Sequence, residues 1–233
     1  NSLFASLAGG GGADNITFTG ATVANSLIFG DGFGVTEGGS LAGADNITTT
    51  ASVAAGTTIY GAGGADTISF QSAATGNTVI DGGNDGDLIG TTATNVLNTL
   101  TVTGAAGADS IRLNNIGTNM MVLGGAGHDT VLLQNTGLGS VNGGAGIDYI
   151  STQTQAGLVS AISNTITING GAGADSISII GAAAGGGNQA LATFQSTGIT
   201  AATAGIIGNV VYGSGDTVAL GTATINAATT ANW

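Results

Sequence analysis

Nine of the chain's twelve aspartates follow glycine-rich runs at one recurring position: Asp14, Asp45, Asp66, Asp87, Asp109, Asp129, Asp148, Asp175 and Asp216. "GGAGHDTVLL" (124–133), "GGAGIDYIS" (143–151) and "GGAGADSISI" (170–179) show the arrangement most clearly. "GGGGADNITF" (9–18), "GAGGADTISF" (61–70) and "GAAGADSIRL" (104–113) repeat it. Carboxylates set out in this way could bind a cation, imitate the acid pair of a glycosidase, or cap turns. Arg112 is the only Lys or Arg in 233 residues, so almost none of the acids has an ion-pair partner within the chain.

The aspartates must be positioned by a repeat. Successive gaps between them are 31, 21, 21, 22, 20, 19, 27 and 41 residues. The 31 reads as one unit plus an insertion, "GDGFGVTEGGSLA" (30–42), and the 27 as a unit with an insertion near 155–163. The 41 reads as two units, one without its motif, so the rungs over 182–233 are degenerate. Apolar residues recur at the second and usually the fourth position after the aspartate, as in Ile68/Phe70, Ile111/Leu113 and Val131/Leu133. They recur two and often four positions before the glycines, as in Leu100/Val102 and Met120/Val122. This period of two, in short segments between polar turns, predicts two strands per unit.

A two-strand unit cannot bury its apolar face alone, so the units must stack. The expected fold is all-β: a single right-handed parallel β-roll or β-helix over 1–233, with about 20 residues per rung. Stacking would line up the aspartates on one edge at about 4.8 Å. Bare carboxylates at that spacing repel by about 3 kcal/mol per neighbouring pair at an effective dielectric near 20. A cation between the rungs would relieve that repulsion. Glycines supply tight turns and free carbonyl oxygens, and oxygen-only donors in a flexible site favour calcium. The expected ligands are the nine aspartates, with Asp85 and with Gly61, Gly82, Gly104, Gly124, Gly143 and Gly170 opening the turns.

The pattern G-G-x-G-x-D-x-(aliphatic)-x resembles the RTX, or haemolysin-type, calcium-binding repeat. Residues 9–17, 124–132, 143–151 and 170–178 match it completely. Residues 61–69 and 104–112 vary in the first glycines, 82–90 places Asp85 at the later glycine, 40–48 keeps only "GAD" and 211–219 only "SGD". The family's unit repeats every nine or so residues and puts calcium (Ca2+) turns on both edges. Here the motif comes once per rung, which predicts one calcium edge and one metal-free edge of Thr, Asn, Ser and Gly. That one-sided layout resembles segments of bacterial surface-layer proteins and of calcium-dependent ice-binding adhesins.

Composition narrows the function. Without a basic footprint, nucleic acid is excluded as a partner. There is no cysteine, hence no disulfide framework, and no apolar run reaches the length of a membrane span. The opening "NSLFASLAGG" lacks a basic leader and enters a repeat at once, as in a mature piece of a longer protein. One histidine, His128, at a variable turn position, is poor provision for catalysis. The sequence therefore reads as a non-enzymatic, secreted or bacterial cell-surface protein that self-associates into a layer or filament. Any polysaccharide anchoring would lie in regions outside this chain. An adhesin stalk or ice-binding segment is the alternative, and the tail of a secreted toxin or protease the third reading. Ala, His or Ile on the turns, where ice binders of that group carry Thr and Asx rows, counts against ice.

Overall fold

The computed structural model describes residues 6–180 apart from 21, 23, 33–41, 72–75, 92–98, 118, 137–138, 154–165 and 174; beyond 180 it describes strands at 189–191, 199–202, 206–208 and 218–220. Asp216 and the insertion expected at 155–163 lie outside the described residues. Twenty strands, and among the described residues no helix, make an all-β solenoid. The first ten are β1 (Ser6–Gly10), β2 (Asn15–Phe18), β3 (Leu27–Asp31), β4 (Asn46–Thr49), β5 (Thr58–Gly63), β6 (Thr67–Phe70), β7 (Thr78–Asn84), β8 (Leu88–Thr91), β9 (Leu100–Ala106) and β10 (Ser110–Ile116). Then follow β11 (Met120–Ala126), β12 (Thr130–Thr136), β13 (Gly139–Ala145), β14 (Tyr149–Gln153), β15 (Ile166–Ala172), β16 (Ser176–Ile180), β17 (Gln189–Leu191), β18 (Ile199–Ala202), β19 (Ile206–Gly208) and β20 (Val218–Leu220).

Odd-numbered strands from β1 to β15 form an eight-stranded sheet, and even-numbered strands from β2 to β20 a ten-stranded one. Strands β17 and β19 pair separately. Every pairing is parallel, between strands one rung apart. Register follows the apolar pattern, because a one-residue slip would turn each buried column outward. In the first sheet Ile28, Ile59, Ile80, Val102, Val122, Val141 and Ile168 stack in line. In the second, Ile16, Ile47, Ile68, Ile89, Ile111, Val131, Ile150 and Ile177 do the same. All are buried, in one continuous aliphatic core. Each such side chain contributes about 1.5–3 kcal/mol through burial.

Between an odd strand and the even strand that follows it, the chain turns through the glycine–aspartate motif. The motif's glycines serve two purposes. The first (Gly61, Gly82, Gly104, Gly124 and Gly143, for example) is not in the left-handed region; it is needed for space. A Cβ there would overlap both the Oδ2 of its own rung's aspartate and the first-glycine carbonyl of the next rung. The later glycines need conformation as well as space. Gly127 has φ 144°, and a Cβ on it would run into the Gly107 carbonyl one rung away. At the second motif position Gly83, Gly125, Gly144 and Gly171 have φ between 99° and 119°. Ala62 and Ala105 occupy the same position with φ of 84° and 75°, closer to the left-handed well an L-residue can reach.

The second rung departs from the sequence reading. Gly30 and Asp31 are not insertion residues: they end β3, with Asp31 in register with Gly10. Gly30 supplies the first-glycine space for Asp45, so this rung keeps more of the motif than "GAD". The extra chain separates the two halves of the motif in sequence but not in space.

The opposite edge carries its own column. Asn25, Gly56, Asn77, Thr99 and Asn119, each two residues before the first outward position of an odd strand, all have positive φ between 50° and 74°. The Asn25 N–H donates to Ala55 O and the Gly56 N–H to Gly76 O, both at 2.9 Å, so these turns also hydrogen-bond from rung to rung.

The glycine geometry predicts that Gly127→Ala destabilises the fold by at least about 2 kcal/mol, since it adds backbone strain to an overlap with backbone. Ala105→Gly should stabilise it by about 0.5–1 kcal/mol by removing a left-handed alanine. Denaturant unfolding of the two variants checks both signs.

Candidate metal centre

The turns set eight of the nine sequence-predicted aspartates in one file along the edge. The seven aspartates of the file from Asp45 to Asp175 are 1–2% exposed, while Asp14 at the first rung is partly exposed. Each carboxylate has two different oxygens. Oδ1 reaches back one rung and accepts the backbone N–H of the preceding aspartate. The bond runs from Asp45 N–H to Asp66 Oδ1 at 2.7 Å, from Asp66 N–H to Asp87 Oδ1 at 2.7 Å, and from Asp87 N–H to Asp109 Oδ1 at 2.7 Å. It continues through Asp109, Asp129 and Asp148 to Asp175 at 2.8–2.9 Å. The aspartate carbonyls join the ladder, accepting from the residue after the next aspartate, as in Thr67 N–H to Asp45 O at 2.7 Å. This rung-to-rung brace is a structural duty that the sequence reading did not foresee.

Oδ2 has no such partner. In Asp14, Asp45, Asp66, Asp87, Asp109, Asp129, Asp148 and Asp175 it is buried without a hydrogen bond. A buried charged oxygen with no donor is costly, and here it occurs on each of the eight rungs from Asp14 to Asp175. From Asp14 to Asp148 each Oδ2 lies over its own first glycine, facing the first-glycine carbonyl of the next rung across the space a Cβ there would fill. The pairs are Asp45 with Gly61, Asp66 with Gly82, Asp87 with Gly104, Asp109 with Gly124, Asp129 with Gly143 and Asp148 with Gly170. The six glycines singled out in the sequence therefore have carbonyls that meet the column, and Gly30, facing Asp14, joins them. Two oxygen acceptors facing each other, with no donor between them, suit a hard cation or a shared proton.

Burial raises the carboxyl pKa values along the file. Asp66 is pushed up to about 7, Asp87 up to about 8 and Asp148 up to about 6. Asp45, Asp109 and Asp129 are raised too, all primarily by desolvation. Neighbouring aspartates add repulsion in most of these cases, and the Oδ1 hydrogen bonds pull the other way.

The remaining candidates fall outside the file. Asp85 takes the fourth motif position with φ 71° and is exposed. His128 is exposed as well, and its Nδ1 accepts the Ile147 N–H at 2.8 Å. Arg112 is exposed on the outer face of the ten-stranded sheet, in register with Gly90 and Leu132. Tyr60 lies on the outer face of the eight-stranded sheet and stacks on Phe29, ring centroids 4.9 Å apart. Among the described residues no three carboxylate or imidazole side chains converge, so a cation here would draw on backbone carbonyls or water as well. No described helix is long and apolar enough to cross a membrane. Compared with known proteins, the chain matches no family model, no curated protein and no solved structure.

Without added cations the raised carboxyls impose a pH dependence. The folded chain holds protons that the unfolded chain, with carboxyls near 3.8, has already lost. Stability from this source is complete below about pH 4 and falls as pH rises toward 8. Chemical unfolding of metal-stripped protein from pH 4 to pH 8 should show that decline; a flat or rising profile would contradict it.

Proposed function

We propose that this chain is a calcium-loaded structural solenoid of an exported bacterial surface layer or filament. One observation carries the reading: a file of buried, unpartnered aspartate oxygens, each facing a glycine carbonyl, in a chain with one basic residue. Asp14, Asp45, Asp66, Asp87, Asp109, Asp129 and Asp148 would hold the ions through Oδ2, with the next rung's first-glycine carbonyls, and Asp175 offers the same unpartnered oxygen at the end of the file. Bound calcium supplies positive charge where the protein has none. The chain's own residues do the rest: the Oδ1 bonds fix the carboxylates from Asp45 to Asp175, and the glycines leave room at the turn. Hard oxygen donors fit calcium better than softer metals, and the repeat's resemblance to RTX turns points the same way.

The role assigned is mechanical rather than catalytic. A solenoid braced along one edge gives a rigid unit with two broad sheet faces. On the described outer faces the charges are few: Arg112 on one sheet and Asp81 on the other. Leu88 and Tyr149 are exposed in line with Ser110 and Thr130, and Met121 is exposed on the opposite sheet. Faces of this kind can pack side by side once the acidic edge is neutralised. The outward turn positions hold Ala13, Ala44, Ala65, Ala108, His128 and Ile147, all exposed, which is a poor surface for ordered water.

Binding and folding should be coupled, because the unliganded file repels itself. At neutral pH, excess EGTA should lower the melting temperature by tens of degrees or leave an unfolded chain, as read by circular dichroism. Asp129→Asn should weaken the calcium-loaded fold by about 1–3 kcal/mol through a damaged mid-stack site. Light scattering in millimolar calcium should show large assemblies that dissolve in chelator. A calcium-indifferent melt would overturn the metal reading, and a calcium-loaded monomer would replace assembly with the adhesin-stalk role.

A further inference from the structure

Seven of the eight residues at the second motif position have no polar side chain: Gly10, Ala62, Gly83, Ala105, Gly125, Gly144 and Gly171. The eighth is Asp31. Its backbone is not left-handed, so no conformational demand for glycine bars a side chain there. The carboxylate is 1% exposed. Its Oδ2 accepts the Gly63 N–H of the next rung at 3.1 Å, which draws the side chain across the gap between the two rungs. Its Oδ1 is buried with no hydrogen bond. The same gap holds the unpartnered Oδ2 of Asp45 and the Gly61 carbonyl that faces it. The charge on Asp31 acts on both Asp45 and Asp66, the aspartates bounding the gap.

We propose that Asp31 turns the position between the Asp45 and Asp66 rungs into a two-carboxylate calcium site, the tightest along the edge and the first to fill. This inference rests on the calcium reading above. Among the described gaps the others offer one buried carboxylate of the file and a carbonyl, with Asp85 beside the Asp66–Asp87 gap exposed to solvent; this one offers a second buried carboxylate. Calcium affinity follows the number of charged ligands, so this site should bind at least about tenfold more tightly than its neighbours.

Calorimetric titration of calcium into the metal-stripped full chain tests it. The wild type should show one tight step before a weaker class. Asp31→Asn and Asp31→Gly should weaken that first step at least about tenfold and leave the weaker class in place. Asp81→Asn removes a charge from the outer face of the eight-stranded sheet and should leave the first step intact. Terbium locates the site independently of whether the Asp31 variants fold well. Tyr60 adjoins Gly61, and Tyr149 adjoins Asp148 at a distant rung. Emission sensitised by the first equivalent should vanish in Tyr60→Phe and persist in Tyr149→Phe. A uniform set of affinities, a first step unmoved by Asp31→Asn or equally weakened by Asp81→Asn, or first-equivalent emission lost in Tyr149→Phe overturns this proposal while leaving calcium binding standing. No calcium bound at all would overturn both.

Discussion

A buried carboxylate oxygen without a partner, repeated on the eight rungs from Asp14 to Asp175, is the constraint on which this structure turns. From Asp45 to Asp175 one half of each aspartate of the file is satisfied by its neighbour's backbone N–H, and that bond fixes the direction of the group. The other half is then held beside a carbonyl, where a negative charge is unfavourable. The fold thus resists ionisation of the residues that brace it. Either protons or cations must resolve the conflict, and desolvation, which raises the carboxyl pKa values, favours the neutral form when no cation is present.

The glycines follow from the same geometry. A carboxylate can lie over its own rung's backbone only if the residue beneath has no Cβ, which fixes the first motif position. Rungs that stack turn on turn leave no room for a Cβ above the next carbonyl, which fixes Gly127 and its counterparts. The aliphatic columns set the register, and the register in turn lets one aspartate reach the next. The acidic edge and the core are therefore one construction: a register slip that exposed the isoleucines would also break the carboxylate brace.

Much of this was legible in the sequence because a solenoid converts sequence period directly into spatial alignment. The spacing of Asp45, Asp66, Asp87, Asp109, Asp129 and Asp148 placed them in one file, and the paired apolar residues placed the two sheets. What lay hidden depends on register or on unlike residues doing the same work. The Oδ1 brace joins residues a full rung apart and leaves no local trace. Gly30 serves Asp45 from across an intervening segment, so the contiguous motif search read the second rung as nearly empty. Asn25, Gly56, Asn77 and Thr99 share a left-handed turn position although their side chains differ, and only the backbone reveals the column. Ala62 and Ala105 show how far the glycine rule bends before the turn must change.

The most direct test of a cation-braced edge is a crystal structure of the full chain grown in calcium, with anomalous scattering to identify the ions. The account predicts a calcium peak bridging aspartate Oδ2 and the next rung's first-glycine carbonyl at successive gaps, from Asp45 and Gly61 to Asp148 and Gly170. Gaps that hold no ion, with the carboxyls protonated onto those carbonyls, would contradict it.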